Sequence, residues 1–513
     1  MSKSLQTESP KKGFLAAIER IGNKFPHPCI LFLCLSIITV LLSMILSWCG
    51  VSAVHPGTGE TVKIYNLVSK DGFIKMVTEA QSNFTSVSAL GMVLMCMMGV
   101  SICEQTGFFS TILRGSVKSS GSHKKIILIF IFIAVLADCA AGVGWVILPP
   151  LAAIIWLAMG RNPIAGMFCA YASTAAAYAA NFLITSQDMM NVGYSQAAID
   201  LINPNYVMSP ASNWYFSSAS VIVLLIVCYF VTTKWVEPRL GKYDPSYAQA
   251  GMIRAEEPIQ PENIKAAKLA GIAALIYVVI IVILTVTGVL ADPKTGSAAA
   301  SAAPLMKGMS LFIALLFAIP GIVYGFKTKY FKTANDVGVA LSKAMSNMGS
   351  FVAFIFFLGQ FIKYFSWSNI GIILAIKGTE AITNSGLPII VVLLLVIIMI
   401  SLINIFMGGA GTKWAIMAPV MVPMFMMLGY NPAVIQMAFR VGDAVTNPIS
   451  LSFAYFGMLL TEVQKYDSRA KTGTLWSGMI PYCVAAFVGL VLLFVIWFLL
   501  GIPLGIGGGI FLQ

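Results

Sequence analysis

The stretch from Gly408 to Pro448 reads GGAGTKWAIMAPVMVPMFMMLGYNPAVIQMAFRVGDAVTNP. It lies in an otherwise apolar region, yet it holds an arginine, an aspartate, two asparagines, paired glycines and four prolines. A charged side chain at bilayer depth costs about 2.5–3.5 kcal/mol on insertion scales, so function is the default reading of Arg440 and Asp443. Arg440, Asp443 and Asn447 follow one another at i, i+3 and i+7, which aligns them on one helix face. The Asn447-Pro448 step should then interrupt that helix. Freed backbone is tolerated in a membrane only where it is buried in protein or lines a cavity, so the stretch reads as a binding site.

Working outward, the chain has 513 residues, 58% of them hydrophobic and only 10% charged, with a mean hydropathy of +0.87. A soluble protein of this length needs far more charge to cover itself, and the expected fold is an all-α polytopic membrane protein. The net charge of +12 gathers in short loops, where basic residues orient membrane helices, and nucleic acid is not an expected partner. Nine cysteines without paired spacing and three scattered histidines lead us to expect no disulfide framework, metal or cofactor.

Residues 1–26 are polar and basic, which places the N-terminus in the cytoplasm. A first membrane half runs over 27–236, with a hairpin near 126–160 where ADCAAGVG and Pro149-Pro150 split an apolar run too short to cross twice. Pro163 to Thr185 reads as one crossing, and Ser186 to Ser209, without Lys or Arg, as an external segment. A charged cytoplasmic loop over 237–268 connects to a second half over 269–513, with its own hairpin near 387–430. Pro432 to Leu459 and Tyr482 to Leu500 complete about nine single crossings, and the Gly-rich C-terminal tail ends outside.

At an offset of 269, GVGWVILPPLAAIIWLAMGRNP meets GTKWAIMAPVMVPMFMMLGYNP. Gly142, Trp145, Ile147, Pro150, Gly160, Asn162 and Pro163 pair with Gly411, Trp414, Ile416, Pro419, Gly429, Asn431 and Pro432, against about two matches expected by chance. The charge pattern puts the two ends on opposite sides. Inverted repeats of this kind are the architecture of many secondary transporters, with substrate held where the broken elements meet. Tyr171 and Thr174 occupy the positions of Arg440 and Asp443, so charge is concentrated in the second half, while the first offers Asn181 and Asp188.

At these residues the sequence resembles the AbgT family, the p-aminobenzoyl-glutamate transporters, which also includes proteins implicated in sulfonamide export. IERIGNKFPHP (18–28), NFTSVSALG (83–91), GRNPIAG, ASNWYF (211–216), VEPRLG (236–241), PGIVYG (320–325), FSWSNIG (365–371) and KWAIMAPVMVPMFMMLGY carry the resemblance over nearly the whole chain. It implies a homodimeric bacterial inner-membrane protein with nine membrane helices and two re-entrant hairpins, related in fold to elevator-type ion transporters. The family's functional positions fall on Asp188, Trp414, Pro432, Arg440 and Asp443. One departure is ADCAAG at the first hairpin tip, where some relatives carry a Ser-Asn-Thr run.

Arg440 suits the bidentate grip of a substrate carboxylate; the plain alternative is a structural ion pair with Asp443. Asp443 is then the expected proton carrier, its protonation freeing Arg440. Trp414 offers a face for an aromatic ring such as aminobenzoate. Asp188 is either a solvated loop residue or a gate or proton relay. Asn181 and Asn447 serve the broken backbone or the substrate, and Gly411 and Pro432 complete the candidate substrate site. The expected function is uptake of p-aminobenzoyl-glutamate or a related aromatic-amide dicarboxylate, driven by a proton or sodium gradient; the alternative is proton-antiport export of sulfonamides. With no GxxxxGK[ST] and no Ser/His/Asp, HExxH or Cys/His arrangement, neither ATP drive nor a hydrolase is indicated.

Overall fold

The computed structural model describes residues 28–54, 59–117, 122–137, 143–249, 260–298, 303–407, 409–450 and 454–512. The basic N-terminal segment 1–26 and the first hairpin tip at 138–142 lie outside the described residues. Apart from a short antiparallel ribbon, Ser52–Val54 with Thr61–Lys63, and two isolated bridges, the regular structure among the described residues is helical. The helices that matter here are α1 (Pro28–Trp48), α2 (Ser88–Thr106), α3 and α4 of the first hairpin (His123–Leu136, Val143–Ala158), α5 (Pro163–Ala176), α6 (Ser186–Ile199) and α7 (Trp214–Val231). They continue with α8 (Pro261–Val286), α9 (Met309–Lys327), α10 (Gly349–Trp367), α11 and α12 of the second hairpin (Ile389–Phe406, Ala410–Met427), α13 (Pro432–Thr446), α14 (Ala454–Tyr466) and α15 (Thr472–Leu499). Among the described residues, eight helices are long and apolar enough to cross a bilayer.

Two helices are buried on every side, as elements at the centre of a bundle are. All of α5 is buried, and so is α13 from Pro432 to Val445. The first hairpin and α7 pack around α5, while the second hairpin and α15 pack around α13. A second group pairs α2 with α9, α8 with α9, and α1 with α10. Gly99 sets the first of these contacts: a Cβ there would run into the carbonyl oxygen of Ala314, so the α2 and α9 backbones touch. The two groups join through α6, which lies between α2 and α12.

The repeat has a local cause that can be read atom by atom. Both copies end their hairpin with a glycine in the left-handed region, Gly160 at φ +69° and Gly429 at +85°. In both, the next amide closes a six-residue turn, Arg161 N to Trp156 O at 2.8 Å and Tyr430 N to Phe425 O at 3.0 Å. Asn162 and Asn431 then cap α5 and α13, each side chain accepting the amide two residues on, at 3.0 Å. The copies face opposite ends of the bundle. Arg161 pairs with Glu237 on the same face as the 243–249 and 465–471 loops, whereas Gly429 and Asn431 bond the C-terminal tail at Leu512 and Ile510.

The readings of 163–185 and 186–209 need correction. That crossing is not one continuous helix, and 432–459 is interrupted at the expected Asn447-Pro448 step. The first halts in a tight turn at Ala177–Ala179 and the second at Asn447–Ile449. Ser186–Ile199 forms α6, packed against the second hairpin, with Asp188, Asn191 and Ser195 buried; its lack of Lys and Arg reflects a polar interior helix, not an exposed loop. The connecting loop 237–268 is also shorter than its charges suggest. The helix of α7 carries on through Leu240, and α8 starts at Pro261, whose fixed φ suits the first helical position.

Candidate functional site

The two central helices break at the same place and meet there. Asn447 Nδ2 donates to Ala175 O at 3.2 Å, joining the break of α13 to the end of α5. A helix end leaves carbonyls without partners, and this one hands a carbonyl to a cation. Arg440, 2% exposed, donates through Nε and Nη2 to Tyr178 O at 3.1 and 2.7 Å, with the Tyr178 ring 5.4 Å from its guanidinium carbon. Its Nη1 reaches Asp188 Oδ1 at 2.5 Å.

Asp188 divides its carboxylate. While Oδ1 holds Arg440, Oδ2 accepts Thr185 N and Thr185 Oγ1 at 2.6 and 2.8 Å, closing a capping box at the start of α6. The positive end of that helix favours the charge as well. Asp188 is thus a buried member of the site and not a solvated loop residue.

The expected pair between Arg440 and Asp443 is not formed. One turn further along α13, Asp443 faces the second hairpin, where Lys413 Nζ lies 2.5 Å from its Oδ1. Among the described residues no hydrogen bond of ordinary geometry reaches either carboxylate oxygen, so charge holds Asp443. The ammonium also donates to Asn404 Oδ1 and, at 2.9 Å, to Met407 O at the end of α11. Asn404 then donates to Asp443 O, Thr446 Oγ1 and Asn447 Oδ1 at 2.7, 3.1 and 2.8 Å. Buried charges must be paired, and here two carboxylates and two cations sort into two separate pairs.

The other candidates divide. Trp414 is fully buried; its indole donates to Ser195 Oγ at 2.9 Å and its ring lies 4.8 Å from Phe439, so the face expected to take an aromatic substrate is covered by protein. Pro432 is the first residue of α13 and sits about 12 Å along the axis from Arg440, by helical rise, so it is not brought to the charges. Gly411 allows close packing: a Cβ there would lie 2.6 Å from Met190 Cε on α6. Asn181 turns the chain beyond the α5 break, its Oδ1 accepting Leu183 N at 3.0 Å.

Four participants escaped the sequence reading: Lys413, Asn404, Tyr178 and Thr185. Lys413 was visible in principle, since a lysine beside Trp414 in an apolar hairpin calls for the same explanation as Arg440. Asn404, in the apolar run SLINIF, gave the fainter form of that signal. Nothing local marks Tyr178, which offers Arg440 both its backbone carbonyl and the face of its ring.

The model of the AbgT putative transporter family matches residues 13–512. The p-aminobenzoyl-glutamate transport protein of Escherichia coli K12 is 32% identical over 510 residues, 99% of each chain. The crystal structure of the YdaH transporter of Alcanivorax borkumensis superposes with a TM-score of 0.87 at 32% identity, covering 94% of this chain and 100% of that one. MtrF of Neisseria gonorrhoeae, described with a class of antimetabolite efflux pumps, superposes at 0.89 with 36% identity, covering 94% and 97%.

Proposed function

Because the chain belongs to the AbgT putative transporter family, whose members are membrane transporters and not enzymes, we propose that it carries p-aminobenzoyl-glutamate or a related aromatic-amide dicarboxylate into the cell, driven by a proton gradient. It works in the bacterial inner membrane, as a homodimer, with its N-terminus in the cytoplasm and its C-terminus in the periplasm. The observation that carries the reading is the buried pair of Arg440 and Asp188. A guanidinium at this depth keeps its charge at any pH and offers a carboxylate a planar fork. Asp188 fills the place a substrate carboxylate would take.

Exchange of one carboxylate for the other keeps the site neutral provided that the displaced Asp188 leaves as the neutral acid. One proton therefore enters with one substrate carboxylate. This assigns proton coupling to Asp188 in place of Asp443, which is held by Lys413. The test is uptake of labelled p-aminobenzoyl-glutamate into proteoliposomes under an inward proton gradient, in sodium-free and sodium-containing buffers, with Arg440→Ala as the control. Accumulation that an uncoupler collapses and Arg440→Ala abolishes supports the reading. Accumulation that needs sodium and ignores the uncoupler sinks its proton part.

A second reading has a specific observation behind it. MtrF, at 36% identity, is described with antimetabolite efflux pumps, and a sulfonamide shares the aminophenyl group of aminobenzoate. On that reading preloaded vesicles would lose sulfonamide against an opposing proton gradient and show no uptake of the dicarboxylate.

A further inference from the structure

The helix of α7 leaves its apolar body at a wide π-turn, Thr232–Val236, and ends at Leu240. The 18 residues of α7 span about 27 Å, the depth of a bilayer core, so residues beyond Val231 stand at the headgroup level. Between this end and the start of α15 lies a cavity of about 330 Å³ whose lining includes Phe168, Lys234, Trp235, Arg239, Ser477 and Gly478. Its inner wall is apolar, because Gly478 lets the Phe168 ring approach where a Cβ would collide with it. Its rim is cationic. Arg239 Nη1 donates to Ser477 O at 3.2 Å, which fixes the guanidinium at the mouth.

Neither Lys234 nor Arg239 pairs with a carboxylate among the described residues. The acid beside them, Glu237, is committed elsewhere: it takes Arg161 Nη1 at 2.6 Å and Trp156 Nε1 at 2.8 Å. Trp235, 59% exposed, stands next to Lys234 in the manner of an interfacial aromatic. Two unmatched cations over an apolar slot, at headgroup depth on the face that carries the basic loops, make an amphiphilic anion site.

We infer that this cavity holds the phosphate of an anionic glycerophospholipid, with Lys234 and Arg239 on the phosphate and an acyl chain against Phe168. A free phosphate would use the rim but not the wall. The experiment is native mass spectrometry of the delipidated full-length protein titrated with phosphatidylglycerol or phosphatidylcholine, with and without millimolar inorganic phosphate. The wild type should prefer phosphatidylglycerol. Lys234→Gln with Arg239→Gln should weaken that binding about thirtyfold, the worth of two surface cations, while Lys234→Arg keeps it. Equal binding by wild type and the double variant overturns the site. Displacement of the lipid by inorganic phosphate alone overturns the lipid as its occupant. Because both side chains lie on an exposed rim, an unchanged elution profile of the double variant keeps a folding defect apart from lost binding.

Discussion

Lys413 Nζ lies 2.5 Å from Asp443 Oδ1, with both side chains 1% exposed. The lysine comes from the second hairpin and the aspartate from α13 beside its break, so one ion pair fastens the hairpin to the broken helix. Removing one partner of such a pair leaves a buried charge without compensation. Lys413→Met should therefore destabilise the protein by about 3–5 kcal/mol. Lys413→Met combined with Asp443→Asn should recover much of that loss. Thermal unfolding in detergent of the two single variants and the double variant measures the coupling, and strictly additive losses would show that the two residues do not act as a pair.

Arg440→Lys keeps the charge and loses the fork that holds Tyr178 O and Asp188 together. Hydrogen bonds to charged groups are worth about 1.5–3 kcal/mol, so KM for the dicarboxylate should rise about 10- to 100-fold. Concentration-dependent uptake in proteoliposomes reads this directly.

Asp188→Asn should separate binding from coupling. An asparagine at this third helical position can still accept the Thr185 amide and close the capping box of α6, but it has no proton to take up or release. Downhill exchange of labelled for unlabelled substrate should persist, while stimulation of uptake by external acidification should disappear. Wild-type acceleration on lowering the external pH, retained in Asp188→Asn, would return the coupling role to another group.

Two glycines in the site region should respond differently to alanine. A Cβ at Gly442 would lie 2.7 Å from the backbone oxygen of Ile397, which cannot move without α11, and Gly442→Ala should cost about 1–3 kcal/mol. At Gly411 the obstacle is the flexible end of Met190, and Gly411→Ala should stay within about 1 kcal/mol. Unfolding midpoints of the two variants, compared under the same conditions, check the order.

The parts of the fold written in local chemistry were legible in the sequence. Gly160 and Gly429, followed by Asn162-Pro163 and Asn431-Pro432, encode the same turn and cap twice, and their repetition exposed the inverted halves. The partners of the buried charges were not legible. Arg440 and Asp188 stand 252 residues apart, whereas Arg440 and Asp443 are three apart and share a helix face. Helical spacing says which side chains stand together, and only packing says which neighbours meet them. Here α6 and the break of α5 meet the arginine, and the hairpin meets the aspartate. For the same reason α6 has the composition of a loop: its Asp188, Asn191 and Ser195 are polar because they serve a buried site.

The two ion pairs, two positive groups and two negative ones, sum to zero. A transmembrane voltage does work of about 2.3 kcal/mol per elementary charge per 100 mV, and on this neutral quartet it has no net handle. An electrode recording from vesicles would then register only what the cargo and its accompanying proton bring. Voltage reaches this machine through its passenger, and the charge on that passenger decides whether turnover generates a current at all.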